Sequence, residues 1–344
     1  MATGSGLDAQ LGLGIESVWG TAVTPTRFLE FTSESMTMEP TFLEPSALRA
    51  GTKFKRASRV RQSRRTVSGD VTVEHGTKGM GLLWKHALGS PVASPTQLAS
   101  TTAYEQNHKP GDFRGLGLTV QIGRPEPSSG VVRAMTYTGC KCASWSFAVR
   151  DQDIPALTLS LDGRNVNEAM ALATAAYING ATVFDFSQAQ LKLGGTVATS
   201  AGKTTVSGGI AVATIVTEFT VGGETPMATE RFGLGNAGLK GEPLENGTPT
   251  ITGSLGAEFN KAELYDLFTN NTTVAMQFLL TGDPIGVSGS NDLLEITMPA
   301  VKLKSAAPNV GGPDILSMST DFEAYSDEVN PPIQVRIVSA ETTL

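Results

Sequence analysis

Residues 51–65 read GTKFKRASRVRQSRR. They carry seven basic side chains, Lys53, Lys55, Arg56, Arg59, Arg61, Arg64 and Arg65, and no acid. Such a cluster can hold phosphates or the carboxylates of a protein surface. Phe54 is the only aromatic available there for stacking on bases, and the chain as a whole has a formal charge of −7. A dedicated nucleic-acid binder carries a broad positive field with interleaved aromatics. A subunit interface is therefore the favoured reading, ahead of a solvated loop and a DNA contact.

The remaining motifs that resemble chemistry do not hold up. Gly202-Lys203-Thr204 ends like a phosphate loop, but the first glycine of that pattern would fall at Val197. Its flanks read as strands, so a hairpin turn is expected rather than a helix N-terminus able to bind phosphate. Residues 233–238, GLGNAG, match G-x-G-x-x-G, yet Gly241, Pro243 and Gly247 follow and leave no room for the helix that a dinucleotide site needs. His75, His86 and His108 fit no metal-ligand spacing, and Cys140 and Cys142 sit two apart, a poor disulfide geometry on one strand. These readings predict no catalytic residue, no metal and no cofactor. The N-terminus has no basic segment followed by an apolar one, and no apolar run reaches about 18 residues. The expectation is synthesis in the cytoplasm, without a membrane partner.

The elements that position these residues are mostly strands. The 344 residues include 38 Gly and few aromatics, a composition of many short strands and turns. Residues 66–75 alternate, with Val71 and Val73 on one face and Asp70, Thr72 and Glu74 on the other. A short helix is expected over 77–89, closed by Gly89. Strands are expected near 115–123, 131–138, 141–150 and 155–162, followed by an Ala-rich helical connector. The second half predicts a strand at 248–259, a helix at 260–269, and strands near 273–281, 292–300, 301–307 and 315–323. This order repeats. An offset of 184 pairs Glu74 with Glu258 and Leu83-Trp84 with Leu267-Phe268, and an offset of 161 pairs residues 137–164 with 298–325. The lower second offset means that the second copy lacks much of the loop at 90–112.

The run GLGIESVWGTAVTPTRFLEFTSESMTMEP, continuing through the basic segment to GLLWKHALG, resembles the start of the major tail tube proteins of long-tailed, non-contractile (siphovirus-type) bacteriophages. The resemblance covers about the first 90 residues. It implies a mostly β fold with small helices, in which β-sandwiches with a flanking short helix form rings. Inner strands of neighbouring subunits join into a ring-wide β-barrel, and the rings stack into a conduit for DNA ejection. Joined with the repeat, it gives two tandem tail-tube-type sandwiches: residues 1–165 with an N-terminal arm, a connector at 166–180, and residues 181–344 with a C-terminal arm. The expected partners are other copies of the chain, the tape measure, terminator and distal tail proteins, and double-stranded DNA in passage. The expected location is the virion, after assembly in the host cytoplasm.

Six sandwich units giving four strands each would line a bore roughly 50 Å across its backbone and about 40 Å inside its side chains. Two units per chain favour three chains per ring. The alternatives are six chains with the second unit as an outer decoration, or a virion-surface binding module. An acidic wall would repel the duplex and ease its transit. Asp70, Glu74, Asp162, Glu258, Asp321 and Glu323 are the lumen-facing candidates, against the alternative that they face outer solvent. The seven basic residues of 51–65 are the interface candidates.

Overall fold

Alternation with a period of two dominates the chain and gives strands rather than helices. The computed structural model describes residues 5–126, 128–212, 214–308, 310 and 312–344. The first half contains β1 (Gln10–Glu16), β2 (Arg27–Leu29), β3 (Ser33–Glu34), β4 (Thr37–Leu43), β5 (Arg61–Glu74) and helix α1 (Gly81–Leu88). It continues with β6 (Thr96–Gln97), β7 (Tyr104–His108), β8 (Gly117–Glu126), β9 (Val131–Arg150), β10 (Ala156–Gly163) and β11 (Asn165–Asn167). The second half contains β12 (Ala189–Leu193), β13 (Thr196–Ser200), β14 (Lys203–Ser207), β15 (Ile210–Ala211), β16 (Val216–Glu224), β17 (Thr250–Glu258) and helix α2 (Glu263–Thr269). It ends with β18 (Val274–Pro284), β19 (Asn291–Leu303), β20 (Ser317–Tyr325) and β21 (Gln334–Ser339).

The large sheets are antiparallel and share one apolar core that runs through both halves. Trp84 meets Trp145 edge-on at 5.1 Å, and Phe219 stacks on Phe278 at 4.3 Å. Two long strands connect the sheets. The first part of β9 pairs with β8 and β11, and its last part pairs with β10 and β16. The strands expected separately at 131–138 and 141–150 are therefore one. Its bend falls at Gly139, whose φ of 64° is open to glycine, and where an added Cβ would meet Arg164 and Trp19. In the same way β19 merges the strand expected at 292–300 with the start of the one expected at 301–307, pairing first with β18 and β21 and then with β20; it ends at Leu303, so the expected strand is corrected beyond that residue.

The strand registers of the two halves run in step. Glu74 faces Ala156 across β5–β10, and Glu258 faces Ser317 across β17–β20, so the offsets are 258 − 74 = 184 and 317 − 156 = 161. All eight pairs, down to Val67 with Gly163 and Ile251 with Ala324, advance at those two offsets. Because a slip of one residue would turn every side chain over, this agreement also preserves which face each residue occupies.

The helices differ in their cover. Every residue of α1 except Lys85 is buried, whereas only Leu264 of α2 is. β7, from the excursion at 90–112, packs on α1 and pairs with β21. Between α2 and β18 the chain has no comparable excursion.

Two expectations are corrected. The Ala-rich connector does not form a helix: after β11 the chain is irregular to residue 180 apart from an isolated bridge at Tyr177. Its backbone bonds go to glutamine side chains instead. Gln121 donates to Ala171 O and accepts from Ala173 N, and Gln10 donates to Ala173 O. The terminal segments also differ from free arms. β1 lies between β2 and β8, and β21 lies between β19 and β7. A buried Arg27–Glu341 ion pair ties the two ends together.

The three histidines are core residues. Trp84 Nε1 donates to His75 Nε2 at 2.9 Å, and His108 Nε2 lies 3.0 Å from Gln106 Oε1. Burial lowers each pKa to about 3, aided at His86 and His108 by the charge of Lys85. The unfolded chain protonates histidine near 6.5, so the folded chain binds fewer protons between about 3 and 6.5. Stability is complete above that window and falls as pH drops through it. Between pH 7.5 and 5.5 the three histidines together remove about 4 kcal/mol. Urea midpoints at the two pH values measure this loss, and equal midpoints would contradict it.

Candidate functional site

Eight strands lie side by side in the order β4–β5–β10–β9–β16–β17–β20–β19. One face enters the core through Val71, Leu159, Phe147, Val221, Leu255 and Phe322, all buried. The other face carries small polar groups. β5 contributes Ser68, Asp70, Thr72 and Glu74, and β10 contributes Thr158, Ser160 and Asp162. Their counterparts on β17 and β20 are Thr252, Ser254 and Glu258, and Ser319, Asp321 and Glu323. Hydroxyls pair across neighbouring strands: Thr72 with Thr158 at 3.0 Å, and Thr220 with Ser254 at 2.8 Å. Hydroxyls that satisfy one another present no large apolar surface to a passing molecule.

All six acidic candidates therefore lie on one sheet face, but in different environments. Asp70 is exposed, and Glu74 and Glu258 are half-buried. Asp321 accepts from Ser305 Oγ at 3.0 Å. Glu323 accepts from Tyr325 Oη at 2.6 Å and pairs with Lys304 at 2.9 Å, and these two partners hold its carboxyl below the usual range. Asp162 is not a bare acid. Lys240 covers it with a buried ion pair, and burial pushes the Asp162 carboxyl up despite that partner. The same face also carries Glu218 and Glu224 on β16, and the cations Arg150, Lys302 and Lys304. The strands that carry Arg150 and Lys302 were anticipated, but which face these residues share depends on pairings between distant segments.

The loop at 225–249 is locked onto the first half. The ammonium of Lys141, buried in β9, donates to Phe113 O at 2.7 Å, Pro243 O at 2.9 Å and Glu242 Oε1 at 2.6 Å. Burial lowers the Lys141 pKa, and Glu242 opposes that shift. Arg65 N donates to Gly238 O at 3.0 Å, and Gly115 N to Glu242 Oε1 at 2.6 Å. Residues 233–238 belong to this loop and not to a strand–helix turn. At the other decoy, β13 and β14 form the expected hairpin around Ala201 and Gly202, and Lys203 pairs with Glu105 at 3.2 Å. Neither buried lysine stood out in the sequence, because a single Lys, in a strand at 141 or in a loop at 240, gives no sign of which carbonyls or carboxylates will surround it.

The basic segment lies on the connection and second strand of the β4–β5 hairpin. Lys53, Lys55, Arg61 and Arg64 are exposed, and Arg56, Arg59 and Arg65 are half-buried. Among the described residues, two of the seven side chains have charged partners within the chain: Lys55 with Glu44, and Arg64 with Glu230 at 3.4 Å, Arg64 also lying over the Phe232 ring at 4.7 Å. The same hairpin exposes Phe42, Leu43, Leu48 and Phe54. Exposed apolar side chains and the basic row thus lie on the same hairpin.

A family model described as phage tail tube protein matches residues 6–324 of the chain. No curated protein matches it.

Proposed function

On the premise that the chain belongs to the phage tail tube protein family, and is a structural tail tube subunit of the virion that assembles with itself and other tail proteins, we propose that it polymerises as stacked three-chain rings with a pseudo-hexameric bore. The observation that carries this reading is the eight-strand sheet, which divides into two sets of four: β4–β5–β10–β9 and β16–β17–β20–β19. Matched registers in the two sets support an internal duplication, with residues 1–165 and 181–344 as the two units.

Three chains would place about 24 strands around a bore roughly 50 Å across its backbone. The hydroxyl-rich, acidic face would line it. Such a wall, with more carboxylates than cations, repels phosphate, and its ring at Tyr325 is already engaged by Glu323 and Lys304, which suits DNA leaving a siphovirus-type particle. The β4–β5 hairpin, with its basic row, would reach a neighbouring subunit or ring. Tape measure, terminator and distal tail proteins would complete the tail, assembled in the host cytoplasm.

Electron microscopy of the purified, polymerised chain tests this. Hollow filaments with threefold rings are the expected result. Rings of six chains would move one unit to the outside and overturn the three-chain arrangement. Solid aggregates or a permanent monomer would overturn the tube.

A further inference from the structure

We infer that residues 37–39 of one chain pair antiparallel with residues 305–307 of the next, in the register that already joins β16 to β9 within the chain. This rests on the tube reading above and names the seam by which the ring closes.

β4 stands to β5 as β16 stands to β17. Thr37, Met38 and Glu39 face Ser68, Val67 and Thr66, while Gly222, Gly223 and Glu224 face Thr252, Ile251 and Thr250. Residues 37–39 are thus the counterparts of 222–224. The other edge of β16 is occupied: Gly222 faces Ser146, Gly223 faces Trp145 and Glu224 faces Ser144. Adding the offset of 161 to 144–146 gives 305–307. Among the described residues, neither the outer edge of 37–39 nor the segment 305–307 has a strand partner.

The segment 305–307 is already shaped for this partner. Ser305, Ala306 and Ala307 are half-buried, buried and exposed, the same sequence as Ser144, Trp145 and Ser146. The register shift beside Ser160 has its counterpart at Asp321, which accepts from Lys304 N and whose own N–H donates to Ser305 Oγ. Val149, beside the internal seam, is 5% exposed, and its counterpart Val310 is 78% exposed. The cover that one valine has within the chain is missing from the other, and an adjoining copy would supply it.

The ends of the seam are also set. Thr225 N donates to Ala143 O at 2.8 Å, which makes Gly223–Trp145, two residues on, a hydrogen-bonded pair. Met38 and Ala306 are therefore the bonded pair between chains, flanked by Thr37–Ala307 and Glu39–Ser305. Pro40 occupies the position of Thr225 and has no N–H to continue the ladder. On the other side, Met36 N already donates to Glu34, and Met36 O already accepts from Tyr137 and Arg124.

The test is the double variant Thr37→Cys/Ala307→Cys, oxidised after polymerisation. Side chains of a non-bonded antiparallel pair lie within disulfide reach, and the native Cys140 and Cys142 are buried. The expected result on a non-reducing gel is a ladder that ends at three chains, and no ladder from unpolymerised protein. Thr37→Cys/Ala306→Cys places its thiols on opposite faces and should not link. Hollow tubes without the link, or with equal linking in that control, overturn the seam and leave the tube reading intact. A ladder ending at six chains supports the seam and overturns the three-chain ring. If the unmodified chain forms no tubes, both readings fail. If only the cysteine variants fail to polymerise, hydrogen exchange on unmodified tubes decides. The amides of Met38 and Ala306 should exchange at least about 100-fold more slowly than in the free chain. Unchanged exchange overturns the seam.

Discussion

Replacing Arg59, Arg61 and Arg64 together by Glu leaves a folded, soluble chain that no longer polymerises. None of the three is buried, and the only ion pair they make among the described residues, Arg64 with Glu230, is exposed on both sides. Exposed pairs contribute about 0–1 kcal/mol, so the fold tolerates their loss. Assembly is more sensitive. Three reversals turn attraction to a carboxylate-bearing neighbour into like-charge repulsion, several kcal/mol against the correct contact. Sedimentation should show essentially all of the variant as free subunit under conditions where the unmodified chain pellets as tubes, with the β-sheet circular dichroism signal unchanged. Normal tubes from the variant would exclude the basic row from the interface, and salt-independent polymerisation of the unmodified chain would point the same way.

The largest expected loss of stability comes from Lys141→Ala. The ammonium it removes is buried and serves two carbonyls and one carboxylate at once. Removing one partner from such a buried network costs about 3–5 kcal/mol, because the groups left behind have lost their water as well as their donor. Glu242 is the exception, since it keeps some contact with solvent. The effect should concentrate in the loop at 225–249, which would become sensitive to protease before the rest of the chain unfolds. Urea midpoints and limited proteolysis report the two parts separately. An unchanged midpoint would mean that the loop's other ties, among them Lys240–Asp162 and the bond from Arg65 N to Gly238 O, hold it without Lys141. Lys141→Met should lose less, because a flexible apolar chain refills the space.

Local patterns made much of this protein legible. Alternation of Val71 and Val73 with Asp70, Thr72 and Glu74 identified a half-buried strand, and its pairing with β10 has those valines buried. Gly89, with φ of 63°, closes α1 as expected. The Ala-rich connector misled because helix propensity is a weak preference, and the amide of Gln121 offered its backbone other partners. The breaks expected inside β9 and β19 were bends, since a glycine or a bulge can redirect a strand without ending it.

The sequence by itself determined that this is a β-rich chain, which strand faces are polar, and which family it resembles, because side-chain alternation and an ordered motif are local properties. Tertiary structure alone decided that the acidic candidates share one sheet face, that Lys240 covers Asp162, and that Lys141 fastens the second half to the first. Those outcomes depend on pairing between residues up to about a hundred positions apart, and on burial that removes water from a charge and leaves it only the partners the fold brings near.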